Sequence, residues 1–142
     1  MPAESIQEIF IGNWSYRSFN NNPDLSVSFD DLKFGQGTIV IDPAAPNELT
    51  GTIGGSGWSL DLYGSISYGN PNTVNFWGTG VVDGAEWKYA YVGYLVPIWP
   101  DGIKQVPAMV GTIVRVIPHP DSDGAIHPAG VVASWYAVRQ DH

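Results

Sequence analysis

The chain has 142 residues, 17 glycines, 11 prolines, no cysteine and a formal net charge of −8. A domain of this size buries about two-thirds of the surface its unfolded chain exposes, so one core is expected and a multidomain enzyme is excluded. The 6 Lys and Arg stand singly against 14 Asp and Glu, which argues against a nucleic acid or an anionic membrane surface as partner. The missing cysteines exclude disulfides, thiol catalysis and Cys-ligated metal sites.

Hydrophobic residues make up 44% of the chain and charged residues only 14%, a balance that favours a packed core over disorder. Helical periodicity is confined to one short candidate at residues 4–8. Beyond it, runs rich in Val, Ile, Thr, Tyr, Phe and Trp are broken by Gly, Pro, Asn and Asp, the pattern of strands and turns. The first predicted strand covers 9–17 and ends at Asn20-Asn21-Asn22-Pro23-Asp24. Leu25, Val27 and Phe29 alternate with Ser26, Ser28 and Asp30, which predicts a short half-buried strand. Further strands are predicted over 37–42, 49–53 and 58–68. In the last of these, Trp58, Leu60, Leu62, Ile66 and Tyr68 oppose Ser59, Asp61, Tyr63, Ser65 and Ser67. Residues 73–82 form the next strand, and Asp83-Gly84 is a hairpin signal. A long strand over 86–98 follows, then a turn at Pro100-Asp101-Gly102 and a strand over 106–117. A Pro- and Asp-rich loop over 118–128 precedes a final strand over 131–139.

Eight or nine short strands at regular spacing must hide their edges, and closure does so most fully. The expected fold is all-β, a single domain over 1–142 forming an eight- or nine-stranded antiparallel up-and-down β-barrel. A sandwich or jelly roll is the alternative. Eight strands enclose room for packed side chains or one small ligand. No apolar run is long enough to cross a membrane as a helix, and no secretory signal opens the sequence, so no membrane partner and a cytoplasmic location are expected.

Gly12-Asn13-Trp14 resembles the G-x-W that opens lipocalin and avidin-type (calycin-type) barrels. Leu49-Thr50-Gly51-Thr52 is similar to the L-T-G-T of streptavidin-like proteins. Phe76-Trp77-Gly78-Thr79-Gly80 and the strand from Trp87 to Gly93 follow in a similar order. The resemblance implies a ligand-binding barrel. Avidin-like proteins hold biotin with a polar cluster after the first Trp and an aspartate near the last strands. Here Ser15-Tyr16-Arg17 follows that Trp, and the late strand Val110-Gly111-Thr112-Ile113-Val114-Arg115 carries a cation instead. The expected ligand is therefore not biotin.

Six Trp and seven Tyr supply apolar area with polar tips, suited to ligand walls as well as to core filling. Trp87, Tyr89, Tyr91 and Leu95 share one face of their strand, with Ala90, Val92, Tyr94, Val96 and Ile98 on the other. A strand apolar on both faces is covered on both, so a homo-oligomer packing through this region is expected. Asn13, Ser15 and Arg17 share a face, as do Asp61 and Tyr63, and Asn75, Trp77 and Thr79. Arg115 interrupts an apolar run. If these faces point inward, they line a pocket, and Arg115 or Arg17 would need a partner such as Asp61. A desolvated carboxylate has a raised pKa and suits acid–base work. His119 and His127, with Asp121 and Asp123, read as solvated loop residues rather than a metal site; no metal or cofactor is expected.

These readings converge on a barrel binding a hydrophobic or aromatic small organic molecule. The candidate ligand-binding residues are Asn13, Arg17, Asp61, Tyr63, Trp77, Tyr89, Tyr91 and Arg115. A cofactor-free isomerase or cyclase acting on a hydrophobic substrate, or a carbohydrate-binding module with exposed rings, are the alternatives.

Overall fold

The computed structural model describes residues 6–97, 103, 105–121 and 123–140. A one-turn helix α1 (Ile6–Phe10) leads into β1 (Gly12–Asn20). A 3-10 turn (Phe29–Leu32) then precedes β2 (Lys33–Asp42), β3 (Glu48–Gly55) and β4 (Trp58–Ser67). Next come β5 (Thr73–Val82), β6 (Ala85–Leu95) and β7 (Ala108–Arg115). A two-residue pair, β8 (His119–Pro120) and β9 (Ile126–His127), precedes β10 (Val132–Arg139). Each long strand pairs antiparallel with its sequence neighbour, and β1 pairs with both β2 and β10. The result is a closed eight-stranded up-and-down barrel, with β8 and β9 forming a separate small hairpin.

Local chemistry explains the meander. At Asp83-Gly84 both residues have positive φ, 51° and 79°, the two-residue turn whose twist matches the strands it joins. Along each strand, alternate residues enter the barrel. β1 sends Trp14, Tyr16 and Ser18 inward and leaves Asn13, Ser15 and Arg17 outside. β6 sends Trp87, Tyr89, Tyr91 and Leu95 inward and turns Lys88, Ala90, Val92 and Tyr94 out. Gly93 is inward-facing by necessity: a Cβ there would stand 2.6 Å from Cζ2 of Trp135. The missing side chain makes the seat for that fully buried indole.

One end of the barrel is sealed. Phe10 is fully buried, and its carbonyl accepts from Nε1 of Trp14 at 2.9 Å. Arg139, the cross-strand partner of Trp14, donates from Nη1 to the Ile9 carbonyl at 3.2 Å. Both bonds satisfy carbonyls that so short a helix leaves open at its C-terminus. Ile41, Leu49, Ile66, Val74, Met109 and Ala137 fill the barrel beneath.

Three expectations are corrected. The strand predicted around residues 25–29 is a turn followed by the 3-10 segment, and Leu25 and Phe29 are 95% and 84% exposed. Side-chain hydrogen bonds won there: Asp24 Oδ1 accepts from both the amide and the hydroxyl of Ser26, and Ser28 Oγ accepts from the Asp30 amide. Such local bonds compete with a sheet ladder. The segment starting at residue 9 is helix through Phe10, so β1 is displaced toward the C-terminus. The strand predicted from residue 37 begins at Lys33. The expected turn at residues 100–102, Glu4 and Ser5 of the predicted helix, and Ile98 lie outside the described residues.

Candidate ligand cavity

The barrel end opposite α1 is not filled. A cavity of about 140 Å³ lies inside it. Its walls are the inward residues of five strands: Tyr16 and Ser18 from β1, Phe34 from β2, Trp58 and Leu60 from β4, Trp87, Tyr89 and Tyr91 from β6, and Ile113 from β7. The lining is mostly rings, with hydroxyls as the only polar side-chain groups besides the indole N–H groups among the described residues.

Phe34 owes its place to an irregularity. Ser18 pairs with Gly35 and Phe19 with Lys33, so Phe34 is the extra residue of a β-bulge. The regular alternation of β2 sends Ile39 and Ile41 inward, which would put Phe34 outside. The bulge re-aims it into the cavity wall, where its ring meets Tyr89 edge-on with centroids 6.2 Å apart.

At the floor, Tyr91 stacks on Phe76 at 4.7 Å and meets Trp135 and Tyr16 edge-on. Burial raises the pKa of Tyr16, with Ser18 partly offsetting the shift, and burial likewise raises that of Tyr91. Both phenols stay neutral near neutral pH.

At the mouth, a directional chain of hydrogen bonds is built from three strands. Arg115 Nε donates to the Tyr89 hydroxyl at 3.1 Å. That hydroxyl lies 2.7 Å from His119 Nε2, and His119 Nδ1 lies 3.2 Å from the Pro120 carbonyl. A carbonyl only accepts, so Nδ1 carries the proton, and a neutral ring then accepts from Tyr89 through Nε2. Burial, opposed by the Pro120 bond and aided by the Arg115 charge, lowers the pKa of His119, in keeping with that tautomer. Burial also raises the pKa of Tyr89, with Arg115 opposing the shift. The His119 ring stacks on Trp87 at 4.1 Å between centroids. The β8–β9 hairpin is thereby pinned over the mouth. Trp87 Nε1 is the one buried side-chain polar atom among the described residues that lacks a hydrogen-bond partner.

The structure brings together only part of the set expected from sequence. Tyr89 and Tyr91 line the cavity, and Arg115 braces its wall from the far side of Tyr89 and Phe34. Asn13, Arg17, Asp61, Tyr63 and Trp77 project from the outer surface. Arg17 reaches Tyr136 on that surface, and the Trp77 ring carries the Lys88 ammonium 4.8 Å from its centroid. The proposed pairing of Arg115 with Asp61 is absent, because the two side chains lie on opposite sides of the sheet. Arg115 instead donates to Tyr89 and, through Nη1, to the Pro128 carbonyl at 3.2 Å. Nor is His119 a solvated loop residue: it is 5% exposed. Its neighbour His127 does stay partly open and lies 3.4 Å from Asp121. Among the described residues no three His, Cys, Asp or Glu side chains gather as a metal site needs.

Sequence reasoning missed Tyr16, Ser18, Phe34, Trp58, Leu60, Trp87 and His119 as one group. A signal existed for Tyr16 and Ser18, which share the parity of Trp14. None existed for Phe34, whose orientation depends on the bulge.

Compared with known proteins, the chain matches no family model, no curated protein and no solved structure. Fold and site define a closed eight-stranded antiparallel barrel, consistent with a calycin-like one, with an aromatic cavity at one end.

Proposed function

We propose that the protein binds a small hydrophobic or aromatic organic molecule inside this cavity. The observation that carries the reading is a ring-lined, partly open space inside one end of a barrel whose other end is closed over by α1. A concave, mostly apolar and aromatic site with a few polar groups is the usual form of a small-molecule pocket. A volume of about 140 Å³ is that of a site for a benzene-sized group, well below the usual drug-sized pocket. The ligand is therefore compact, or only its apolar part enters. The finer resemblance to avidin or lipocalin barrels belongs to this reading as analogy: such barrels hold ligands in this position.

The test is titration with toluene, followed by the indole N–H resonances of Trp58 and Trp87. Those two signals are expected to move together and saturate. The variant Leu60→Trp, which fills the cavity, is expected to abolish the response. Unmoved indole signals at millimolar toluene, or an unchanged response in the filled variant, would refute the reading. Native mass spectrometry against the denatured mass then reports any ligand retained through purification.

The enzyme alternative rested on an inward carboxylate. Asp61 is on the outer surface and, among the described residues, no carboxylate lines the cavity, so the geometry supports binding more than acid–base turnover. The carbohydrate alternative draws on the outward neighbours Tyr63 and Trp77, 46% and 39% exposed, but Lys88 occupies one face of the Trp77 ring. That outer face, with Ala90, Val92 and Tyr94, is also where we propose that a second copy packs. Light scattering on a size-exclusion column reads this directly, and a monomer at high concentration would refute it.

A further inference from the structure

Arg115 is 6% exposed, and a cation so buried is costly without an anion. Among the described residues it has no carboxylate partner. Its Nε and Nη1 atoms are bonded to Tyr89 and Pro128, whereas Nη2 has no hydrogen-bond partner among the described residues. Nor is Nη2 sealed off, since among the described residues Trp87 Nε1 alone is both buried and unpartnered.

The open side of Arg115 faces a groove of about 420 Å³, lined also by Asn20, Lys33, Phe34 and His127. Lys33 likewise makes no ion pair among the described residues. Among the described residues no acidic side chain lines this groove. In a chain with 14 Asp and Glu against 6 Lys and Arg, two unpaired cations around one concave surface are a local reversal of the prevailing charge. Such a reversal in a concave place concentrates anions.

The groove and the aromatic cavity share a wall. Phe34 lines both, and the Arg115 guanidinium sits 5.2 Å from the Phe34 centroid and 5.8 Å from that of Tyr89. An apolar compartment and a cationic compartment are thus one ring apart at the same barrel end.

We infer that the ligand is an amphipathic carboxylic acid: its compact apolar group occupies the cavity, and its carboxylate lies in the groove on Arg115 Nη2 and Lys33. A single negative charge matches what is free there, one guanidinium nitrogen and one ammonium, because the rest of Arg115 is already committed. Charge-assisted bonds of this kind are among the stronger ones available. A short spacer between ring and carboxylate carries the ligand past Phe34. This assignment rests on the cavity reading above and adds the chemical class of the ligand.

The experiment compares toluene, phenylacetate, 3-phenylpropanoate, acetate and inorganic phosphate as probes of the full chain, with indole and arginine Nε–H resonances as readout. One of the two aryl acids is expected to bind at least about tenfold more tightly than toluene, the worth of a charge-assisted hydrogen bond. Lys33→Met alters an exposed side chain, so the fold is expected to survive. It should weaken the aryl acid several-fold and leave toluene unchanged. If toluene and the aryl acids bind equally and Lys33→Met changes neither, the carboxylate assignment is overturned while the cavity reading stands. If acetate or phosphate binds as tightly as the aryl acids, the groove takes anions alone and the amphipathic class is wrong. If no aromatic probe binds, the cavity reading and this assignment fall together.

Discussion

Replacing Tyr89 with Phe removes one oxygen and unties both ends of the hydrogen-bond chain at the barrel mouth. The phenyl ring keeps its contacts with Phe34 and Trp87. Two groups lose their partner: Nε of Arg115, 6% exposed, and Nε2 of His119, 5% exposed. Leaving a buried polar group unsatisfied costs about 1–3 kcal/mol, with charged groups at the upper end. Burying phenyl in place of phenol recovers a part, so the net expectation is a loss of about 2–4 kcal/mol. At about 2–4 °C per kcal/mol for a domain of this size, Tm should fall by roughly 5–15 °C. Urea denaturation with linear extrapolation measures the loss. The double variant Tyr89→Phe with Arg115→Met removes both members of the pair, so its cost should be less than the sum of the single costs, by about 1 kcal/mol or more. A single-variant loss under about 0.5 kcal/mol, within the range of an ordinary surface change, would refute the chain of bonds. Strict additivity in the double variant would refute the pairing.

Acidification should destabilise the fold through His119, whose pKa is held below its ordinary 6.5 chiefly by burial. The unfolded chain then takes up this proton first. The stabilisation is complete above about pH 6.5 and is lost as pH falls from there through the lower folded value. Urea midpoints measured on both sides of this window should show a smaller drop in His119→Gln than in the parent, and equal drops would count against the assignment. Gly93→Ala forces a methyl to within 2.6 Å of the Trp135 ring and should cost about 1–3 kcal/mol as an overpacked core does. Chemical denaturation checks it, and a neutral outcome would mean the indole has room to move. Arg17→Met, Asp61→Asn and Trp77→Ala all alter the outer surface, so each should leave toluene affinity within about twofold, a surface-sized effect. A tenfold loss in any of them would place the ligand outside the barrel.

Strand number and order were legible because they follow from local chemistry. Alternation marked β4, and the Asp83-Gly84 signal matches a turn with two positive φ values. Regular short spacing with no long helix left closure as the way to hide edges, and the barrel closes through β1 and β10. The same alternation found the two faces of β6 and grouped Trp87, Tyr89 and Tyr91 on one of them. The sequence also held an unused clue in β1, where the parity of Trp14 carries Tyr16 and Ser18 inward.

Other features depend on contacts between segments distant in sequence. A period of two separates two faces but does not say which one is inside, and that choice placed Asp61 and Arg17 on the surface. The bulge opposite Ser18 and Phe19 turns Phe34 against the parity of its own strand. His119 becomes buried only because Tyr89 and Trp87, 30 residues away along the chain in the case of Tyr89, offer it a hydrogen bond and a stacking surface. Residue pattern by itself set out the strands and their turns and favoured a barrel over a sandwich or jelly roll. Closure of the barrel decided which rings line the pocket at its open end and which cation lies beside them with no carboxylate partner among the described residues.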